Sequence, residues 1–328
     1  MSDPTIGSMV TTPPAEDPAV AGGTAPPDAG LPAGKQRQGK PRGLLGDAWL
    51  DLRRRPMFWI PAVLILIFVV MAAVPQLFTH TDPTQGLLER SRVAPSGSAW
   101  FGYDVQGQDV YARVIYGARA SIVVAVLSTI GTVLIGGAIG ILAGFRGGWV
   151  DAVLSRIADI FFGLPFVLGA IVILFTFNKP GSSNSTFKIM MLVIVSLVVL
   201  TWPVSMRIMR SSVLATKEAD YIVAARALGA SSARIVFKHL LPNCLAPLLV
   251  YSTILIGSFI GAEATLSFLG VGLHSPVVSW GIMISESQNY IRVSPHLLLF
   301  PATFLVIAVL SFVMLGEAVR EALDPKLR

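Results

Sequence analysis

Residues 221–243 read YIVAARALGASSARIVFKHLLPN, a small-residue, basic stretch between segments that are apolar and almost uncharged. It carries Arg226, Arg234 and Lys238, a glycine at 229 and a Leu-Pro pair at 241–242. Asp220 suits the N-cap of a helix running through Leu228, and Gly229 then permits a left-handed turn. Ser231 or Ser232 caps a second helix, Ala233–Leu241, which Pro242 ends. Two short helices at an angle present Ala224, Ala225 and Gly229 outermost, where small side chains let a partner's backbone approach. The spacing predicts a docking element.

The surroundings say where it docks. Of 328 residues, 53% are hydrophobic and only 13% charged, about half the charge of a soluble domain, and the mean hydropathy is +0.69. Several runs approach the ~20 apolar residues that cross a bilayer as a helix. The net charge of +6 is scattered between apolar segments, which fits control of membrane topology rather than a nucleic-acid face. The single cysteine, Cys244, excludes an internal disulfide framework. Residues 1–43 are rich in Pro, Gly, Ala and Thr, cannot bury enough surface to offset ordering entropy, and read as a disordered tail.

Residues 44–78 predict a short amphipathic helix, three arginines and a first span, Met57–Leu77. Residues 79–119 form a long polar loop. The core, 120–320, is read as spans at Ser121–Phe145, Ile157–Phe177 with Pro165 inside it, Ile189–Ile208, Leu245–Gly270 and His296–Leu315. A cytoplasmic loop at 209–243 and a cytoplasmic tail at 321–328 complete the chain. Arg53–Arg55, Arg207, Arg210, Lys217, Arg226, Arg234, Lys238 and Arg320 then fall on one face, which the positive-inside rule makes cytoplasmic, with both termini. Gly136, Gly140 and Gly144 share one face of the second span, a small-xxx-small pattern that serves packing within the chain or a subunit interface.

Glu263 is an ionisable group at membrane depth and hence a functional candidate. It reads first as a hydrogen-bonded contact between helices or subunits, and second as a pathway residue. Asp159 is expected to stay at the interface and to pair with Arg156. Asp104 and Asp109 lack the twelve-residue calcium pattern and suit a structured cap or a contact with an extracytoplasmic partner. There is no HExxH, CxxC, GxSxG or phosphate-loop motif, so this sequence offers no metal, nucleophile or nucleotide site of its own. A self-contained secondary transporter driven through Glu263 would need inverted repeats or more intramembrane charge. A membrane-embedded hydrolase would need a catalytic constellation.

AARALGAS (224–231) followed by HLLPN (239–243) resembles the cytoplasmic signature loop of bacterial ABC importer permeases, whose short coupling helix sits in a cleft of the ATP-binding subunit. FGYDVQGQDVYARVIYGARASI (101–122), RGGWVDAVLSRIADIFFGLP (146–165), EATLSFLGVG with SPVVSWG (263–281) and LGEAVREALDPKLR (315–328) are similar to the same family in the same order. The closest resemblance is to the C-type subunit of the dipeptide and oligopeptide (peptide/nickel) importers. It implies an all-α membrane protein of the type I importer permease fold, with about six transmembrane helices, in the bacterial cytoplasmic membrane. It also implies a subunit that is not an enzyme: ATP and Mg would be used by two ATP-binding subunits, or one fused subunit. A second homologous permease would complete a heterodimer, and an extracytoplasmic peptide-binding protein would deliver short peptides. A nickel complex, glutathione or haem is the alternative cargo. By the same resemblance Asp220, Ala224, Ala225, Arg226, Leu228, Gly229, Ala230, Leu241 and Pro242 couple to the ATP-binding subunit. The glutamate usual in that loop is absent: Val223 stands in its place, and Glu218 lies five residues too early.

Overall fold

The computed structural model describes residues 52–53, 56–177 and 185–323; the predicted tail and most of the predicted amphipathic helix lie outside them. Among the described residues every regular element is helical: α1 Pro56–Ala73, α2 Val110–Arg146, α3 Gly148–Phe162, α4 Phe166–Phe177, α5 Thr186–Thr216, α6 Asp220–Ala227, α7 Ser232–Phe268, α8 Trp280–Ser287 and α9 His296–Leu323. Helices are what an apolar solvent demands, because they satisfy each backbone N–H and C=O within one segment. Four of them, α2, α5, α7 and α9, are long and apolar enough to cross a membrane. The pair α3–α4 makes a fifth candidate, and α1 is shorter.

Contacts set the directions. The end of α5 is tied to the end of α2 and the start of α3: Arg210 pairs with Asp151, and Lys217 Nζ donates to the Gly144 carbonyl at 3.3 Å. At the other end, Arg119 of α2 donates to the last carbonyls of α1, Ala72 and Ala73, at 2.9 and 3.1 Å. Phe101, just before α2, stacks on Phe300 of α9 at 3.9 Å. Leu52 packs on Ala318 and Ala322 near the end of α9. The bundle therefore has a tip end, carrying α6, and a cap end, carrying residues 79–109.

Three expectations change. The predicted straight span 157–177 is two helices meeting at 89°, because Pro165 has no N–H to donate and disfavours helical backbone at Leu164. Asp151 and Asp159 of α3 face Arg210 and Arg207 of α5, the latter at 2.7 Å, and Arg156 reaches Asp159 at 3.4 Å. Next, α2 starts at Val110, where the Asp109 side chain accepts from Ala112 N at 3.0 Å, so the polar loop is shorter than 79–119. Finally, α5 continues to Thr216 and α1 stops at Ala73.

Gly136, Gly140 and Gly144 lie in the α2–α5 seam of this chain. A Cβ on Gly136 would fall 2.5 Å from Trp202 O, and one on Gly140 would fall 2.5 Å from Met206 O. The glycines allow helix backbones to touch, which is where membrane helices gain packing without a hydrophobic effect. Gly261 of α7 has open space around it. Replacing Gly140 with Ala should cost about 1–3 kcal/mol through overpacking. Replacing Gly261 with Ala should be neutral or gain up to about 1 kcal/mol of helix propensity. Thermal unfolding of the two variants in detergent checks the contrast.

Candidate functional site

The tip is built from the ends of α5 and α7. Ile222 of α6, Ile235 and Leu240 of α7, and Met209 and Val213 of α5 form one buried cluster with Cys244 and Leu248. That cluster seats α6 and leaves its outer side free: Ala224, Arg226 and Gly229 are exposed, and Leu228 is 88% exposed. The turn after α6 is closed by Ala230 N donating to Ala225 O and Gly229 N donating to Arg226 O, both at 3.0 Å. Those two bonds with Gly229 at φ +78° make a Schellman motif. Residues 225 and 230 serve the turn through their backbone groups; the glycine at 229 is the position whose side chain the turn restricts.

Two details of the expected hairpin differ. Ala219, with no capping side chain, occupies the N-cap of α6, and Asp220 is its first residue. There its carboxylate meets the positive end of the helix dipole instead. Ser231 does cap the second helix, accepting from Arg234 N at 3.4 Å, but Pro242 does not end it. The helix widens to a π-type turn over Ile235–Leu240 and runs on to Phe268 as one 37-residue element. The wide turn lies just before the proline, whose ring would clash with, and whose missing N–H could not serve, a regular α-turn. Asn243 Nδ2 meets the His239 carbonyl at 2.7 Å. Leu241 is half-buried against the seating cluster, and Pro242 is exposed. Val223, where a glutamate was expected, is 49% exposed.

Glu263 lies at the other end of α7, fully buried. Its Oε2 accepts from Ser121 Oγ of α2 at 2.8 Å. Its Oε1 accepts from Ser267 Oγ at 2.8 Å and from Ser279 Oγ at 3.0 Å. These partners come from three separate parts of the chain. The sequence flagged the glutamate but gave no sign of its serines, since an Oγ four residues on is the only local one. Beside this junction Trp280 Nε1 donates to the Val114 carbonyl at 2.9 Å, and Gly272 fits where a Cβ would lie 2.6 Å from Ser267 N. The segments EATLSFLGVG and SPVVSWG are therefore two halves of one contact.

Sequence reasoning missed the cap's anchor. Buried Arg113 of α2 pairs with Asp104 of the loop and, at 2.9 Å, with Glu286 of α8. Asp104 also accepts from Gln106 N and Gln108 N, at 2.8 and 2.9 Å. The signal was present, in an arginine nine residues from an aspartate, but its third member is 173 residues away. Between α4, α5 and α7 an open groove of ≈ 400 Å³ is lined by Thr201, Tyr251, Ser258 and Thr265 together with Phe166, Leu255 and Phe259. Ala262 lines it; Glu263 does not.

Most of the chain matches known protein families. Residues 136–328 match the family described as the inner membrane component of binding-protein-dependent transport systems, and residues 43–95 match the N-terminal transmembrane domain of oligopeptide transport permease C. The chain belongs to this family. It is a multi-pass inner-membrane protein and a transport component, not an enzyme. It is 37% identical over 285 residues to the dipeptide transport system permease of Bacillus subtilis (strain 168), covering 86% of each chain. It is 36% identical to the oligopeptide transport system permease of Escherichia coli (strain K12), over 85% of this chain and 91% of that one. The glutathione transport system permease of Pectobacterium atrosepticum is 31% identical, over 86% and 91%. The present chain shares its fold with a chain in an inward-facing structure of the MetNI methionine ABC transporter, with a TM-score of 0.52 and 24% identity, over 65% of this chain and 96% of that one.

Removing Arg113 strands two carboxylates, one of them buried. Arg113→Ala should destabilise the cap end by about 3–5 kcal/mol, the cost of breaking a buried pair. Arg113→Met combined with Asp104→Asn should recover much of that loss. Limited proteolysis of the 79–109 loop and thermal unfolding in detergent measure both.

Proposed function

We propose that this chain is one of two permease subunits forming the pathway of an ATP-driven importer of short peptides. As in binding-protein-dependent systems generally, ATP hydrolysis falls to partner subunits and solute delivery to a binding protein. The observation that carries the reading is the tip: a short helix, seated by Ile222 and Ile235, that exposes small residues and Leu228 and is joined by the tight Gly229 turn to the start of a transmembrane helix. A rigid element in a partner's cleft passes on rigid-body movement. Asp220, Ala224, Ala225, Arg226, Leu228, Gly229 and Ala230 are the docking residues in this reading. Leu241 and Pro242 lie within α7, just past its wide turn.

Orientation follows from charge. Arg207, Arg210, Lys217, Arg226, Arg234, Lys238 and Arg320 gather at the tip end, which makes that end cytoplasmic, with both termini. Six crossings result if α1 and the α3–α4 pair each count as one. The other permease is a homologous chain, as the two halves of a heterodimer, and two ATP-binding subunits dock below. The uncharged, hydroxyl-bearing groove at mid-depth is the face assigned to the pathway. Lacking fixed charge, it suits peptides of varied side chain. Peptide cargo is supported by the dipeptide and oligopeptide permeases among the relatives, and the glutathione permease keeps a γ-linked tripeptide as the alternative.

Affinity purification of the tagged chain from its native membrane in mild detergent tests the assembly. A second permease and ATP-binding subunits should accompany it; a lone, monodisperse chain would overturn the reading. Gly229→Val puts a β-branched residue at positive φ, at a cost of about 1–2 kcal/mol, and Leu228→Glu charges the exposed tip. Each should reduce recovery of the ATP-binding subunits while leaving the second permease bound. Gly229→Asn, which tolerates the turn, should not.

A further inference from the structure

Glu263 takes no part in the tip and does not line the groove, yet a carboxyl group at membrane depth is expensive and an apolar residue would pack there more cheaply. Its surroundings indicate what it does. The helix that bears it is the same helix that begins at the tip: from Ser232 to Glu263 is about 45 Å at about 1.5 Å per residue. Near the end of that helix the carboxyl holds α2 through Ser121 and the following segment through Ser279. The hydroxyls are polarised in one sense. Ser267 Oγ accepts from Leu273 N at 3.0 Å and Ser279 Oγ accepts from Ile282 N at 3.3 Å, so the single proton of each is turned to Oε1. Beyond Ser279, α8 is held a second time, by Glu286 on Arg113 of α2. Segment 269–287 is thus held to α7 by Ser279 on Glu263 and by Ser285 Oγ, which donates to the Phe268 carbonyl at 3.0 Å; of the two, the Glu263 contact alone also takes in α2, through Ser121.

We propose that Glu263 is a positioning residue of the transport cycle: its carboxyl clamps segment 269–287 to α7, so that movement imposed on the tip reaches the outer face of the permease. This rests on the docking role of the tip given above. The clamp is a matter of hydrogen bonding, which separates two substitutions. In Glu263→Gln the amide oxygen keeps Ser267 and Ser279, and the amide nitrogen faces Ser121, whose hydroxyl rotates to accept. In Glu263→Leu all three bonds are lost. Ser279→Ala cuts the outer arm alone and leaves the buried carboxyl with two donors.

The test follows Ser275, exposed within the clamped segment. The assembled transporter is purified with Ser275→Cys in this chain and its one native cysteine, Cys244, changed to Ser. Maleimide labelling of the chain is timed without nucleotide and after trapping with ATP and vanadate. With Glu263 intact the two rates should differ about fivefold or more, within the usual range of site-to-site coupling. Glu263→Gln should keep that difference. Glu263→Leu and Ser279→Ala should abolish it while ATP hydrolysis without binding protein stays unchanged, a separation that loss of fold would not produce. Should Glu263→Leu fail to assemble, Ser279→Ala decides. A full difference in Glu263→Leu, or in Ser279→Ala, overturns the clamp, as does a collapse in Glu263→Gln or equal rates with Glu263 intact. Purification without any ATP-binding subunit would instead overturn the docking reading, and this proposal with it.

Discussion

A lipid interior supplies no hydrogen bonds, so a polar group carried into it must find a partner inside the protein. Most of what is distinctive here follows from that constraint. Thr201, Ser258, Thr265, Thr303 and Ser311 each donate to a carbonyl four residues back in their own helix. Arg119 is spent on the last carbonyls of α1, and Trp280 on a carbonyl of α2. Glu263 has three hydroxyl donors around it and no cation. Where the constraint cannot be met by a straight helix, at Pro165, the chain bends; where it can be met by a wider turn, before Pro242, the helix continues.

The same constraint shapes the route between the two ends of the molecule. Were Pro242 a helix stop, the tip would hang on a flexible joint and its displacement would be lost there. Because the backbone passes the proline as a π-turn, the segment from Ser232 through the span is one rod, and the short helix before it is fixed to that rod by the turn at Gly229 and by the buried cluster around Ile222. At the far end of the rod the polar contacts are concentrated on a few side chains. Interhelical hydrogen bonds in apolar surroundings are few enough here that each one names a specific pair of segments. The long glycine-lined seam between α2 and α5 supplies the fixed surface against which such a rod is placed.

The amount legible beforehand varied with the range of the interaction. The tight turn at Gly229 and the cap at Ser231 depend on residues within five positions of each other, and the sequence showed them. The membrane helices depend on composition over about twenty residues and were equally plain, though their ends were not. The first was read four residues too long because Val74, Pro75 and Leu77 are apolar and the chain continues as a tighter helical turn over Pro75–Leu77. The second was read eleven residues late because charged residues at the start of α2 looked like loop. Those residues, Arg113 and Arg119, are in fact held by partners outside α2.

By itself the sequence determined an all-helical membrane protein, its charge asymmetry and a tight turn among small residues, since hydropathy, charge count and turn chemistry are local properties. Only the tertiary structure decided that the proline at 242 is bridged and that the apparent third span is bent. It alone showed that Glu263 belongs with Ser121 and Ser279, and Arg113 with Asp104 and Glu286. A polar side chain at membrane depth announces that it needs partners, but which ones it meets depends on helix rotation and register. Those are set by packing against neighbours far away in the chain.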